Sequence, residues 1–236
     1  MARRALIVVH DPGETAGMVG RRLEARGFEL DELSVTLDLD DPRSDVEFPA
    51  IGEHDIIVPM GAVYSVYDTA TIGTWIEREL ELLRAADRAG VPVFGICFGG
   101  QALAAALGGR VVAADEAQVG WYEIPSETPE LGTGPWMQWH YDRFEAPPDA
   151  EVLSVDRFGT QAFRLRRNLG LQFHPEVDVA HLRRWLDMGG ADLLPAHGLT
   201  ADGLIAATVV NAENSRPQTD RLVDWFLDHI AVVPVG

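Results

Sequence analysis

The sequence predicts an α/β protein: a mostly parallel, twisted sheet covered by helices on both faces, with antiparallel strands added in the second half. Up to about residue 107, short apolar runs alternate with stretches of helical spacing. Between Arg110 and Leu171 the pattern changes to short alternating runs, which suggest antiparallel strands or hairpins. No repeat or long linker divides the chain, and 236 residues can bury a large core, so residues 1–236 are read as one domain.

The apolar run Ala5–Val9 is a core strand, and a helix is expected around Glu14–Arg26. Leu30–Val35 and Asp55–Val58 read as strands, separated by an acidic, proline-containing loop over 38–53. Ile72, Trp75, Ile76, Leu80, Leu83 and Ala86 recur at helical spacing, predicting one helix from Thr71 to Ala89. Strand 92–96 leads into helix 98–107, which Gly108-Gly109 stops. Glu151–Val155 and Gln161–Leu165 alternate as strands do. Helices are expected over Val179–Met188, Thr200–Asn214 and Gln218–Ile230.

Cys97, the only cysteine, sits where the apolar run Val91–Ile96 turns into a helix, with Gly99 and Gly100 just beyond it. A thiol on such an elbow is exposed at the carboxyl edge of the sheet. The helix N-terminus favours negative charge on its sulfur, as a nucleophile requires. Far downstream, Leu171-Gln172-Phe173-His174-Pro175-Glu176 again ends an apolar run. His174 is suited to exchange a proton with the thiol. Glu176, two residues on in an extended segment, shares its face and is suited to orient the imidazole. Each element alone has a plain structural reading, as a small buried thiol and a strand-end histidine. Together they point to nucleophilic catalysis.

Gly95-Ile96-Cys97-Phe98-Gly99-Gly100-Gln101 and Gln172-Phe173-His174-Pro175-Glu176 resemble the two signatures of class I glutamine amidotransferases. Three further segments agree, in family order. Asp55–Asp68 resembles a strand followed by an oxyanion loop, Gln118–Tyr122 a short Gly-Trp strand, and Gln138–Asp142 a His-x-Asp segment lining the glutamine pocket. The likeness spans roughly residues 5 to 180 and is nearest to stand-alone members related to the glutaminase domain of GMP synthase. It implies a flavodoxin-like fold and a Cys97-His174-Glu176 triad. It also implies an oxyanion hole from Gly61, Ala62 and the backbone of Phe98, and a substrate pocket touching Gln101, Trp139, His140 and Tyr141. Where the family usually has Gly-Gly-Pro, this chain has Gly61-Ala62-Val63; backbone donors tolerate alanine there if its φ stays negative. Trp139 and Tyr141 add aromatic bulk that suits a larger substrate.

The net charge of −18 argues against nucleic acid as a partner, because phosphate contacts need basic patches. No long apolar segment suggests a membrane span, and Ala5–Val9 followed by His10-Asp11 is too short for a secretory signal. A lone cysteine forms no internal disulfide and fits a cytoplasmic setting. The chain has no lysine, which excludes lysine Schiff bases and a Walker-type phosphate loop. His10, His54, His181, His197 and His229 lack metal-ligand spacing and read as structural, so neither metal nor cofactor is expected.

The expected reaction is hydrolysis of the glutamine side-chain amide to glutamate and ammonia, the latter passed to a separate synthase. One alternative is hydrolysis of a γ-glutamyl amine or related γ-glutamyl amide. Another is a non-catalytic regulatory or binding module on the same fold.

Overall fold

A computed structural model describes residues 2–232. Met1 and residues 233–236, part of the expected domain, lie outside the described residues. The first half alternates as expected: β1 (Arg3–Val9), α1 (Gly17–Ala25), β2 (Phe28–Ser34), β3 (Ile56–Pro59), α2 (Thr69–Ile72), α3 (Ile76–Ala89), β4 (Val93–Ile96) and α4 (Phe98–Ala106). Five strands follow: β5 (Arg110–Tyr122), β6 (Trp136–Glu145), β7 (Glu151–Asp156), β8 (Gly159–Leu165) and β9 (Asn168–Leu171). The helical end of the chain comprises α5 (Val179–Trp185), a wide turn Leu186–Gly190, α6 (Ala191–Leu193) and α7 (Ala201–Trp225).

Seven strands form one sheet in the order β2-β1-β3-β4-β9-β8-β7, and β5 pairs with β6 in a separate antiparallel ribbon. The pairs from β2 through β9 are parallel, whereas β8 and β7 add antiparallel strands at one edge. The mixed, twisted architecture is therefore as expected. β1 shows why both faces are covered: Ala5, Ile7 and Val9 enter one core with α1 and α7, while Leu6 and Val8 enter another with α3 and α4. A third cluster, including Val119, Met137, Leu182 and Leu204, packs the β5–β6 ribbon against α5 and α7.

Four expectations need correction. The first helix begins at Gly17, because Glu14 is drawn to Trp185 and His181 rather than into a helical turn. The predicted helix 71–89 is broken between Ile72 and Ile76: Asp68 caps α2, and Trp75 leaves helical geometry to bury its ring and donate Nε1–H to Pro42 O. Not every strand between Arg110 and Leu171 is antiparallel to its neighbours, since β9 lies parallel to β4. Its fully buried run Asn168–Leu171 suits a central strand covered on both faces. Thr200–Asn214 and Gln218–Ile230 are not two helices, because α7 runs through Pro217. Packing against α1 and α5 holds the helix across the lost backbone bond, and Thr219 Oγ1–H donates to Pro175 O one turn nearby.

Candidate active site

The ends of β3, β4 and β9 converge at the carboxyl edge of the parallel sheet. Cys97 joins β4 to α4 with φ +50° and ψ −107°, a conformation that costs an ordinary residue on the order of 1–3 kcal/mol. Its neighbours hold it there. Cys97 N–H donates to Leu171 O at 2.9 Å, and Gly99 N–H donates to Met60 O at 3.0 Å. A Cβ on Gly99 would lie 2.0 Å from Pro59 O, and one on Gly100 2.3 Å from Leu171 O, so only glycine permits this approach. The two glycines that mark the motif in sequence are thus packing requirements of the elbow.

His174 follows β9, and its N–H donates to Met137 O at 2.8 Å, which ties it to the β5–β6 ribbon. Its Nδ1 lies 2.7 Å from Glu176 Oε1, with side chains only 4% and 1% exposed. Among the described residues, Nε2 has no hydrogen-bond partner. Burial opposes a charged imidazole, but the Glu176 carboxylate, by charge and hydrogen bond, together with the nearby Cys97 sulfur, outweighs it and raises the His174 pKa well above its ordinary value. Gln172 Nε2 points to Cys97 Sγ at 3.8 Å. The Trp185 ring meets the His174 ring edge-on at 4.8 Å.

A cavity of about 380 Å³ opens above the elbow. Cys97, His174, Gly61, Ala62, Gln101, Trp139, His140 and Tyr141, all predicted from sequence, line it. Glu176 and Phe98, also predicted from sequence, do not line the cavity: Glu176 lies behind His174, and Phe98, the first residue of α4, is fully buried. Gly61 is close to both Cys97 and His174: a Cβ on it would lie 3.1 Å from His174 Cε1 and 4.0 Å from Cys97 Cβ. Ala62 is not among the residues with positive φ, so the loop accommodates alanine without strain. Ser65 and Tyr67 hydroxyls donate to the Asp142 carboxylate at 2.5 and 2.7 Å, anchoring the loop to β6.

The expected substrate contacts differ in availability. Gln101 Nε2 donates inward, to Asp142 O at 3.2 Å and Gln172 Oε1 at 3.4 Å. His140 is buried, with Nδ1–H donating to Asp142 O; burial pushes its pKa down to about 4, so it is neutral. Trp139 and Tyr141 form a more open wall, with Tyr141 OH 3.0 Å from His197 Nε2.

Sequence reasoning missed the wall contributed by Asp11, Glu14, Trp185, Met188 and Leu193. No local pattern signals it, because the wide turn after α5 meets the β1–α1 loop only in the folded chain. Burial pushes the Asp11 carboxyl up to about 6, and its Oδ1 has no partner among the described residues. Glu14 sits at about 2: burial raises it, but His181, Trp185 Nε1–H and the Thr15 N–H outweigh that. His181 stands at about 10 because Asp178 and Glu14 overcome its burial.

Residues 14–184 match the family model described as glutamine amidotransferase class-I. The chain belongs to this family. Among curated proteins, the amidotransferase is 42% identical over 98 residues to a glutamine-hydrolyzing GMP synthase of Mycolicibacterium paratuberculosis, covering 37% of this chain and 18% of that protein. It is 39% identical over 132 residues to the GMP synthase of Thermomicrobium roseum, covering 51% of this chain and 23% of the other. The aligned parts thus span less than a third of these relatives' length. A glutamine amidotransferase structure from Thermotoga maritima aligns with TM-score 0.82 and 22% identity over 97% of this chain and 99% of its own. One from Methylobacillus flagellatus gives 0.82 and 22% over 100% and 98%. At these identities the structural likeness is one of fold. Among the described residues, no single helix is long and apolar enough to cross a membrane.

Proposed function

We propose that this amidotransferase hydrolyses the side-chain amide of glutamine to glutamate and ammonia, with residues 1–236 acting as one catalytic domain. The observation that carries the reading is the convergence of a strained Cys97 elbow with a Glu176-braced His174 whose Nε2 is unpartnered. Solved structures that align over nearly the whole of both chains support the single-domain reading.

In the proposed reaction, Cys97 Sγ attacks the amide carbon while His174 Nε2 holds the thiol proton. Backbone N–H groups of the 61–62 loop and Phe98 face the developing oxyanion, a role that removes several kcal/mol from such barriers. The His174 imidazolium, favoured by its raised pKa, protonates the nitrogen as the C–N bond breaks and ammonia leaves. Water then attacks the thioester, His174 takes its proton, and glutamate departs with the thiol restored. Ammonia passes to a synthase on another protein.

The aromatic wall of Trp139, Tyr141 and Trp185 favours a second reading, in which the amide nitrogen carries an alkyl substituent and an amine leaves instead. Release of ammonia or amine from glutamine and a panel of γ-glutamyl amides, using the chain alone, separates the two. Cys97→Ser is expected to abolish both while preserving the fold. Undiminished turnover by Cys97→Ser would refute the proposal. Fast cleavage of a bulky amide with negligible glutaminase activity would select the second reading.

A further inference from the structure

Beneath the Gly61–Ala62 peptide lies a buried pair that the steps above do not use. His10 follows β1 and Glu79 lies on α3, and both side chains are 0% exposed. His10 Nε2 is 3.0 Å from each Glu79 carboxylate oxygen, and His10 Nδ1 is 3.2 Å from Gly61 O. A carbonyl oxygen only accepts, so Nδ1 must carry a proton to make its contact. A second proton is needed between Nε2 and the carboxylate. The ring is also confined: Trp75 stacks on it at 5.6 Å, Phe98 tilts against it at 4.8 Å, and the Thr36 hydroxyl donates to the His10 carbonyl. Burial opposes charge on the imidazole, but Glu79, aided by neighbouring Asp11 and the Gly61 carbonyl, outweighs it.

A trans peptide is planar, so the C=O of Gly61 and the N–H of Ala62 point in opposite directions. With Gly61 O drawn toward buried His10, the Ala62 N–H is turned the other way, toward the cavity that Ala62 lines. We propose that His10 and Glu79 are a positioning pair that pins this peptide, so that the Ala62 N–H is set in advance to meet the oxyanion. Glu79 fixes His10 in the orientation and protonation state that holds Gly61 O. The catalytic consequence rests on the amide-hydrolysis reading; the pinning itself does not.

Removing one partner alone would strand a buried polar group, so the pair is changed together. His10→Leu with Glu79→Leu removes the pin without leaving a charge unpaired, a replacement that buried pairs often tolerate. Its kcat is expected to fall about 10²–10³-fold, the usual effect of losing one oxyanion donor, with KM held within about threefold. Alkylation of Cys97 by iodoacetamide builds no oxyanion and is expected to keep its wild-type rate. His10→Asn with Glu79→Gln places an amide donor near the Nδ1 position and is expected to recover most of kcat. Equal loss of kcat and alkylation would reduce the pair to general structural support, and unchanged kcat in the folded double-leucine variant would overturn the proposal. Imidazole 15N spectra of the wild type test the pin without turnover: an unprotonated His10 Nδ1 overturns it even if the chain hydrolyses glutamine. A protonated, hydrogen-bonded Nδ1 in a chain that hydrolyses neither glutamine nor any γ-glutamyl amide would uphold the pin and refute the function.

Discussion

Gly99→Ala tests how tightly the site depends on the approach of β3 to α4. The new methyl would sit 2.0 Å from Pro59 O, 2.5 Å from Pro59 C and 2.9 Å from Pro59 Cβ. Ordinary contact begins at 3.4 Å, so the two backbones must part by about 1 Å or more, the oxygen contact alone lacking 3.4 − 2.0 = 1.4 Å. Backbone atoms cannot swing aside as a side-chain end does, so the cost falls in the upper part of the roughly 1–3 kcal/mol range for overpacking, or above it. The displacement is directed at the chemistry. Cys97 lies two residues before Gly99, Gly61 lies two residues after Pro59, and the 3.0 Å Gly99–Met60 hydrogen bond joins them. A misplacement of about 1 Å costs on the order of 10²-fold in rate. Denaturant unfolding gives the first quantity, and kcat from ammonia or amine release gives the second. A variant within about 0.5 kcal/mol of wild-type stability and within threefold of its kcat would refute the close-approach argument.

His174→Ala is expected to match the loss caused by Cys97→Ala in kcat, because the two act as a unit. Glu176→Gln should lose less, since it retains a hydrogen-bonding partner for Nδ1; a greater loss than His174→Ala would give Glu176 another role. His181 stands at about 10 in the folded chain, above its ordinary 6.5, so its stabilising contribution is complete below about pH 6.5 and lost as pH rises through 10. Unfolding measured from pH 6 to 10 should show this decline, and His181→Gln should flatten it. The Asp11 carboxyl is raised from 3.8 to about 6, so its ionisation destabilises the fold progressively as pH rises through that window. Asp11→Asn should therefore be more stable by roughly 1–3 kcal/mol at pH 8, with the gain vanishing near pH 4; no gain at pH 8 contradicts that.

The elements most legible in sequence are those whose chemistry and local geometry coincide. The Gly95–Gln101 elbow and the Gln172–Glu176 strand end each require particular residues at particular steps, and the fold brings both to one cavity. The parallel placement of β9 was not legible, because alternation reveals a strand but not its neighbour. The continuous α7 was hidden by Pro217, whose local penalty is overridden by packing against α1 and α5. The sequence marks His10 and His181 only as histidines without metal-ligand spacing, because their partners Glu79 and Glu14 lie on other elements. Trp185 reads as an ordinary helical residue until α5 carries it against His174.

The order of strands has a consequence for how copies of the chain meet. Among the described residues, the outermost strands of the sheet are β2 and β7, the borders at which a further strand would add. Along β2, the sequence Phe28-Glu29-Leu30-Asp31-Glu32-Leu33-Ser34 places carboxylates wherever a second β2 would be laid. Along β7, register shifts between Val152 and Ser154 and between Ser154 and Val155 interrupt the even spacing that an incoming strand must match, although Val152 and Val155 are exposed. A net charge of −18 adds long-range repulsion between identical copies. Both borders thus resist ribbon-like growth at high concentration, one by charge and the other by misfit. Raising the salt concentration screens only the first, leaving the irregular β7 border as the remaining safeguard against strand-to-strand aggregation.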